Sequence, residues 1–217
     1  MNEINKESLA GQKEWLDHFY QEMYLQVGFG PRQNEYYMNM IIKNLDDRVI
    51  KFLKEAPASI VDVGCAMGYG TILLGDIFPL AKLYGIEVNE TAVAGGRERF
   101  PQITFIHNRD GLIDGLYDIV ISSHCLEHYL DPQELLADLL RISCRYCIVM
   151  VPYNEDPPQN KHLCTITENT FPDKLVVEGK HYIKISSVIY GADRELSRND
   201  LIQVTYEVIP SALPDIL

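Results

Sequence analysis

The chain is short of positive charge. Against 31 Asp and Glu it carries 19 Lys and Arg, a net charge of −12 over 217 residues. That balance argues against a nucleic-acid partner, because binding a phosphate backbone needs a basic footprint. No apolar run is long enough to span a bilayer, so no membrane partner is expected. The opening Met1-Asn2-Glu3-Ile4-Asn5-Lys6 lacks the apolar core of a secretion signal. A disulfide framework is also missing: the five cysteines are odd in number and sit in or beside apolar segments, at Cys65, Cys125, Cys144, Cys147 and Cys164. Cys144 and Cys147 form a single Cys-x-x-Cys without the second pair of a zinc ribbon, and read as buried free thiols. These features predict a reducing, cytoplasmic setting. No internal repeat, low-complexity tract or motif specifying a homo-oligomer is present. What is there is 47% hydrophobic residues, enough for a sizeable core within one domain.

Apolar spacing predicts a helix over 12–27, broken by Gly28-Phe29-Gly30-Pro31, and a second helix over 34–54 ended by Ala56-Pro57-Ala58. Strand and helix signals then alternate. Strands are expected at 59–63, 82–88, 103–107, 117–122 and 145–151, with helices near 69–78, 90–99 and 132–142. Short β-branched runs separated by helical patterns argue for an α/β fold, a parallel sheet covered on both faces. After Pro152 a Pro- and Asn-rich loop leads to two strand-like runs, 182–190 and 201–209. No crossover helix fits between them, so an antiparallel edge is expected. Residues 1–58 read as an N-terminal helical extension and 59–217 as the main unit.

The stretch Val61-Asp62-Val63-Gly64-Cys65-Ala66-Met67-Gly68-Tyr69-Gly70 carries the most information. An apolar strand runs into a glycine-rich turn and then a helix. Glycines let backbone N–H groups approach a ligand closely, and the helix N-terminus adds partial positive charge. Open α/β sheets bind ligands at the carboxyl ends of their strands. Asp62 lies in the first strand, Glu87 ends the second and Asp110 follows the third. A carboxylate at the end of the second strand accepts ribose hydroxyls in dinucleotide enzymes too, so Glu87 alone does not separate NAD from S-adenosylmethionine. Asp62 discriminates better, because a carboxylate beside the turn suits an ammonium and a sulfonium and repels a pyrophosphate.

The same stretch resembles motif I of the class I S-adenosylmethionine-dependent methyltransferases. A second stretch, Tyr117-Asp118-Ile119-Val120-Ile121-Ser122-Ser123-His124-Cys125-Leu126-Glu127-His128-Tyr129-Leu130-Asp131-Pro132, is similar to that family's segment at the fourth strand and beyond. The resemblance covers about Ile60 to Pro152. It implies a Rossmann-like fold, with a seven-stranded, mostly parallel sheet, an antiparallel last strand, helices on both faces and an N-terminal helical extension. It also implies roles by position. Asp62, Gly64, Cys65, Ala66 and Gly68 would hold the methionine part and the sulfonium side. Glu87 would bind the ribose diol, with Val88 against the adenine. Asp110 would accept from the adenine amino group, with Gly111 nearby, and Ser122 and Ser123 would line the pocket beside the methionine carboxylate. Ala66 departs from the family, where glycine is more usual.

Methyl transfer needs proximity, orientation and removal of the acceptor's proton. His124, Glu127 and His128 are spaced to share one face if a helical turn forms, and His162 follows the fifth strand on the same side of the sheet. His128 and His124 are therefore candidate catalytic residues, with His128 as the general base. The four residues are also a candidate set for a divalent metal. They resemble the Glu-x-x-Glu-His segment of metal-using small-RNA 2′-O-methyltransferases and ubiquinone-pathway O-methyltransferases, with His124 in place of the first Glu. A purely structural role for Glu127 and His128 stays open, and no metal ligand is assigned. The aromatic-rich segment containing Trp15, Phe19, Tyr20, Tyr24, Phe29, Tyr36 and Tyr37 is a candidate lid over the acceptor, or simply a packed helix. The expected partner is a small-molecule methyl acceptor, taking the methyl on O or N. A catalytically silent cofactor-binding module is the alternative of another class, and an NAD oxidoreductase is a distant third.

Overall fold

The computed structural model describes residues 18, 20, 24, 29–108, 113–155, 162–191 and 199–209. Eight strands form one sheet in the order β3-β2-β1-β4-β5-β8-β7-β6. These are β1 (Ser59–Val63), β2 (Lys82–Glu87), β3 (Ile103–His107), β4 (Tyr117–Ser123), β5 (Ser143–Pro152), β6 (Lys174–Val177), β7 (Lys180–Tyr190) and β8 (Leu201–Ile209). β1 to β5 pair in parallel, and β8, β7 and β6 extend the sheet in antiparallel fashion. The helices are α1 (Phe29–Lys43), α2 (Asp47–Glu55), α3 (Thr71–Ile77), α4 (Glu90–Arg99) and α5 (Pro132–Ile142).

Successive strand residues point to opposite faces, and here both faces are covered. On one face Ile60, Ile119, Ile121, Ile148 and Met150 meet Ile41, Val49, Leu53 and Leu74 of the helices. On the other, Val61, Val120, Cys147 and Val149 meet Leu135, Leu136, Leu139 and Leu140 of α5. That is why the central strands read as unbroken apolar runs. α5 begins as its sequence dictates: Asp131 Oδ1 accepts from the Gln133 N–H at 2.9 Å, and Pro132 occupies a position where no N–H is needed.

Three expectations change. The single helix over 34–54 is two. Asp46 N-caps α2 by accepting from the Arg48 N–H at 2.9 Å, which starts a new helix although the apolar periodicity runs on through Ile41, Leu45, Val49 and Leu53. α1 starts earlier than expected because Pro31 lies in its first turn, where backbone N–H groups have no helical partner anyway. The sheet has eight strands rather than seven. The extra one, β6, joins β7 through Glu178-Gly179, both at positive φ (49° and 78°), and this two-residue turn matches strand twist. The four-residue run Lys174–Val177 is too short to signal a strand by itself. The helix expected over 12–27 lies almost wholly outside the described residues.

β8 ties the helical extension to the sheet. Gln203 is fully buried on it and donates to the carbonyls of Ile41 (3.4 Å) and Asn44 (3.1 Å) at the end of α1, while Tyr190 donates to its Oε1 at 3.1 Å. Removing a buried partner leaves the others unsatisfied, at about 1–3 kcal/mol. Gln203→Ala is therefore expected to lower unfolding free energy by about 2 kcal/mol, against about 1 kcal/mol for loss of the Asp131 cap in Asp131→Ala. Urea denaturation of both variants checks the order.

Candidate active site

The carboxyl ends of β1, β2, β4 and β5 open on one side of the sheet, and the expected site residues gather there. After β1 the chain turns at Gly64 (φ 81°) and Gly68 (φ 84°). A Cβ on Gly64 would stand 2.2 Å from Cys125 Sγ, and one on Gly68 2.7 Å from Phe105 Cζ. Both positions therefore demand glycine on two counts. Ala66 also adopts positive φ (50°), which explains why the motif favours glycine there. The turn is held by the Gly64 and Cys65 N–H groups donating to the Ile86 carbonyl at 2.8 and 3.2 Å.

Glu87 is buried at the end of β2. Its Oε2 accepts from the Ala66 N–H at 3.0 Å and its Oε1 from the Asn89 N–H at 2.9 Å. Burial raises its carboxyl above the ordinary value, opposed by backbone hydrogen bonds from Asn89, Ala66 and Val88. Val88 beside it is exposed, its carbonyl 3.0 Å from His107 Nε2. Asp62 is buried and accepts from Thr71 Oγ1 at 2.6 Å, at the start of α3. Burial pushes its carboxyl up to about 6; the Thr71 hydroxyl lowers it and Glu87 adds to the rise. Asp110 and Gly111 lie outside the described residues. Ser122 is buried and donates to the Val63 carbonyl at 3.0 Å, so it laces β4 to β1. Ser123 Oγ lies 3.0 Å from His124 Nδ1.

The histidines do not form the expected four-residue group. His124 is at positive φ (57°), ahead of the 3-10 turn Leu126–His128, and its ring stacks on Tyr37 of α1 at 3.7 Å between centroids. Burial, then His162 and His128, lower its pKa to about 3. Glu127, His128 and His162 do converge, with ligand atoms within 4.8 Å of one another. Glu127 is fully buried with neither carboxylate oxygen hydrogen-bonded among the described residues, and burial, with Glu155 nearby, pushes it up to about 8. Sequence reasoning missed the support for His162. Its Nδ1 is hydrogen-bonded to the buried Glu155 carboxylate, whose other oxygen accepts from Asn199 Nδ2 at 2.7 Å. The acidity of the loop after β5 was the available signal. The described tyrosines of the aromatic segment are packed. Tyr20 and Tyr24 pack on Ala66, Met67 and Ala92 at the glycine turn, while Tyr37 reaches the histidines.

A doubly covered parallel sheet with a glycine turn and a buried carboxylate after its second strand defines a nucleoside-cofactor-binding α/β protein. The sequence profile of the methyltransferase-domain family matches residues 32–174, and the chain belongs to that family. Similar curated proteins include the trans-aconitate 2-methyltransferase of Deinococcus radiodurans, 31% identical over 54% of this chain and 46% of that protein. Another is the trans-aconitate 2-methyltransferase of Yersinia pestis, 29% identical over 72% of this chain and 64% of that one. The chain thus spans less than two thirds of the length of these relatives. Among solved structures, the magnesium protoporphyrin IX methyltransferase of Synechocystis PCC 6803 with bound SAM has the same fold, at TM-score 0.60 and 15% identity, over 90% of this chain and 96% of that one. No helix among the described residues is long and apolar enough to cross a membrane.

Glu127 sets a pH dependence. Its folded pKa of about 8 exceeds the ordinary 4.5, so the folded protein holds a proton that the unfolded chain releases between these values. The stability this contributes is complete below about pH 4.5 and lost as pH rises through 8. Glu127→Gln should flatten that decline, so urea denaturation at pH 5 and pH 9 is expected to show a smaller loss in the variant, by on the order of a few kcal/mol.

Proposed function

We propose that this protein is an S-adenosylmethionine-dependent methyltransferase acting on an O or N atom of a small-molecule acceptor. The observation that carries the reading is Glu87, a buried carboxylate at the end of β2 drawn onto the N–H of Ala66 in the glycine turn. It sets a diol-binding acid beside a close-approach turn, and the residues fit an adenosyl cofactor. Glu87 would hold the ribose, with Val88, Asp110 and Gly111 around the adenine. Gly64, Cys65, Ala66 and Gly68 would face the methionine part, with Asp62 behind the turn favouring its ammonium, and Ser122 and Ser123 would complete the wall. When bound, S-adenosylmethionine supplies an electrophilic methyl group on a sulfonium and leaves as neutral S-adenosylhomocysteine.

His128 is the proposed general base. It lies beside His162, ring centroids 5.2 Å apart, and Glu155 orients His162. His124, with its pKa near 3, is too weak a base for this work and walls the acceptor side through Tyr37. The trans-aconitate of the named relatives is not carried over, because the chain spans less than two thirds of their length.

A metal-assisted variant is the second reading, favoured by the convergence of Glu127, His128 and His162 and by the unpartnered Glu127 oxygens. Two imidazoles and a carboxylate suit a borderline divalent ion such as Zn²⁺ or Mn²⁺, and a carboxylate behind a ligating histidine is the usual support. Such an ion would act as a Lewis acid toward the acceptor oxygen.

Thermal shift separates the readings. S-adenosylmethionine and S-adenosylhomocysteine are expected to raise Tm and NAD is not, with stabilisation of about 2.7 kcal/mol at a hundredfold excess over Kd. Glu87→Ala should abolish the rise. No rise with either adenosyl ligand sinks the proposal in favour of another ligand. A further rise with Zn²⁺ or Mn²⁺ that EDTA reverses and His128→Ala removes promotes the metal reading.

A further inference from the structure

Two tyrosines from ahead of α1 sit at the glycine turn. Tyr20 is 8% exposed and Tyr24 2% exposed. Both pack against Ala66 and Met67 of the turn and Ala92 of α4. Their rings are 5.0 Å apart, and Tyr24 continues to Tyr69 at 6.4 Å. Tyr24 is fixed from behind: its hydroxyl donates to Asn34 Oδ1, and its ring lies where a Cβ on Gly30 would be, 2.2 Å from Cδ2. The α1 turn thus makes room for this ring by having no side chain at Gly30.

Tyr20 is buried beside Tyr24. Its phenol stays neutral because it is buried and because Glu87, Tyr24, Cys65 and Cys125 surround it with groups that oppose a negative charge. Those neighbours come from different places: Cys65 from the turn after β1, Glu87 from the end of β2, and Cys125 from beyond β4. Tyr20 packs on Ala66 and Met67 of the turn, so its ring stands beside the strand ends that carry Gly64 and Glu87. An adenosyl ligand with its diol on Glu87 and its sulfur beside the turn would lie against this ring.

We propose that Tyr20, backed by Tyr24, is the outer wall of the cofactor site and contacts the bound adenosyl ligand through its ring. This rests on the cofactor placement proposed above. An aromatic ring there excludes water from the ribose and sulfur, and its face favours the sulfonium cation of S-adenosylmethionine. The ring rather than the hydroxyl carries the effect, so Phe substitutes and Ala does not.

The test is calorimetric titration of S-adenosylhomocysteine into the wild-type chain, Tyr20→Phe and Tyr20→Ala, with cofactor-free melting curves alongside. Expected are a Kd within about threefold of wild type for Phe and weakened by about tenfold or more for Ala, with cofactor-free Tm little changed for Phe and lowered for Ala by loss of the buried ring. Ala binding as tightly as wild type, or more tightly, overturns the proposal while leaving the cofactor reading intact. If wild type itself takes up no S-adenosylhomocysteine, both fall. Should Tyr20→Ala fail to fold, amide exchange of the wild-type peptide carrying Tyr20 and Tyr24 decides. Slowing on addition of S-adenosylhomocysteine supports the wall, and unchanged exchange overturns it.

Discussion

The site is organised by one carboxylate. Glu87 could satisfy itself in water at little cost, yet it is buried at the end of β2 and spans two loops, taking the Ala66 N–H on one oxygen and the Asn89 N–H on the other. Charge-assisted bonds of this kind are strong enough to offset much of the desolvation. They also fix a turn that is otherwise strained, since Ala66 is left-handed without being glycine. Asn89 in turn caps α4 by accepting from the Ala92 N–H at 2.9 Å. The first turn, the second loop and the helix that follows are thereby locked in one arrangement, which the parallel register of β1 on β2 sets up and Glu87 closes.

Much of the fold could be read along the chain because the central strands are buried on both faces. Ser59–Val63, Ile103–His107 and Leu201–Ile209 have the bounds that their apolar runs announce, as do the helices Glu90–Arg99 and Pro132–Ile142 with their caps. What escaped is where local signals were weak or ambiguous. β6 has four residues and a Glu-Gly turn in place of the stronger Asn-Gly or Asp-Gly. The kink between α1 and α2 hides within a periodicity that runs across both, and only the cap at Asp46 marks it.

The site was legible in proportion to how local it is. The turn, Glu87 and the serines of β4 are set by strand ends, and strand ends follow from sequence. The histidines are not. His124 stacks on Tyr37, and the close group that spacing alone would extend to it holds Glu127, His128 and His162. Glu155, His162 and Asn199 meet only because a loop after β5 and the start of β8 converge, and no spacing rule connects them. Tyr20 reaches the turn from 46 residues away along the chain, counting to Ala66. Such contacts are tertiary by nature, and patterning speaks to faces rather than to partners.

The position of β8 has a consequence for synthesis. Among the described strands it comes last in chain order, yet it lies inside the sheet, between β5 and β7, and its Gln203 and Glu207 reach α1 and α2 through the Ile41 and Asn44 carbonyls and Arg48. A nascent chain emerging from the ribosome assembles β1 to β5 with an open edge at β5, and the β6–β7 hairpin has no sheet to join. Until β8 is in place, α1 and α2 lack these contacts. Exposed edges of this kind invite pairing with other chains, so β8 also protects the edge of β5 once it docks.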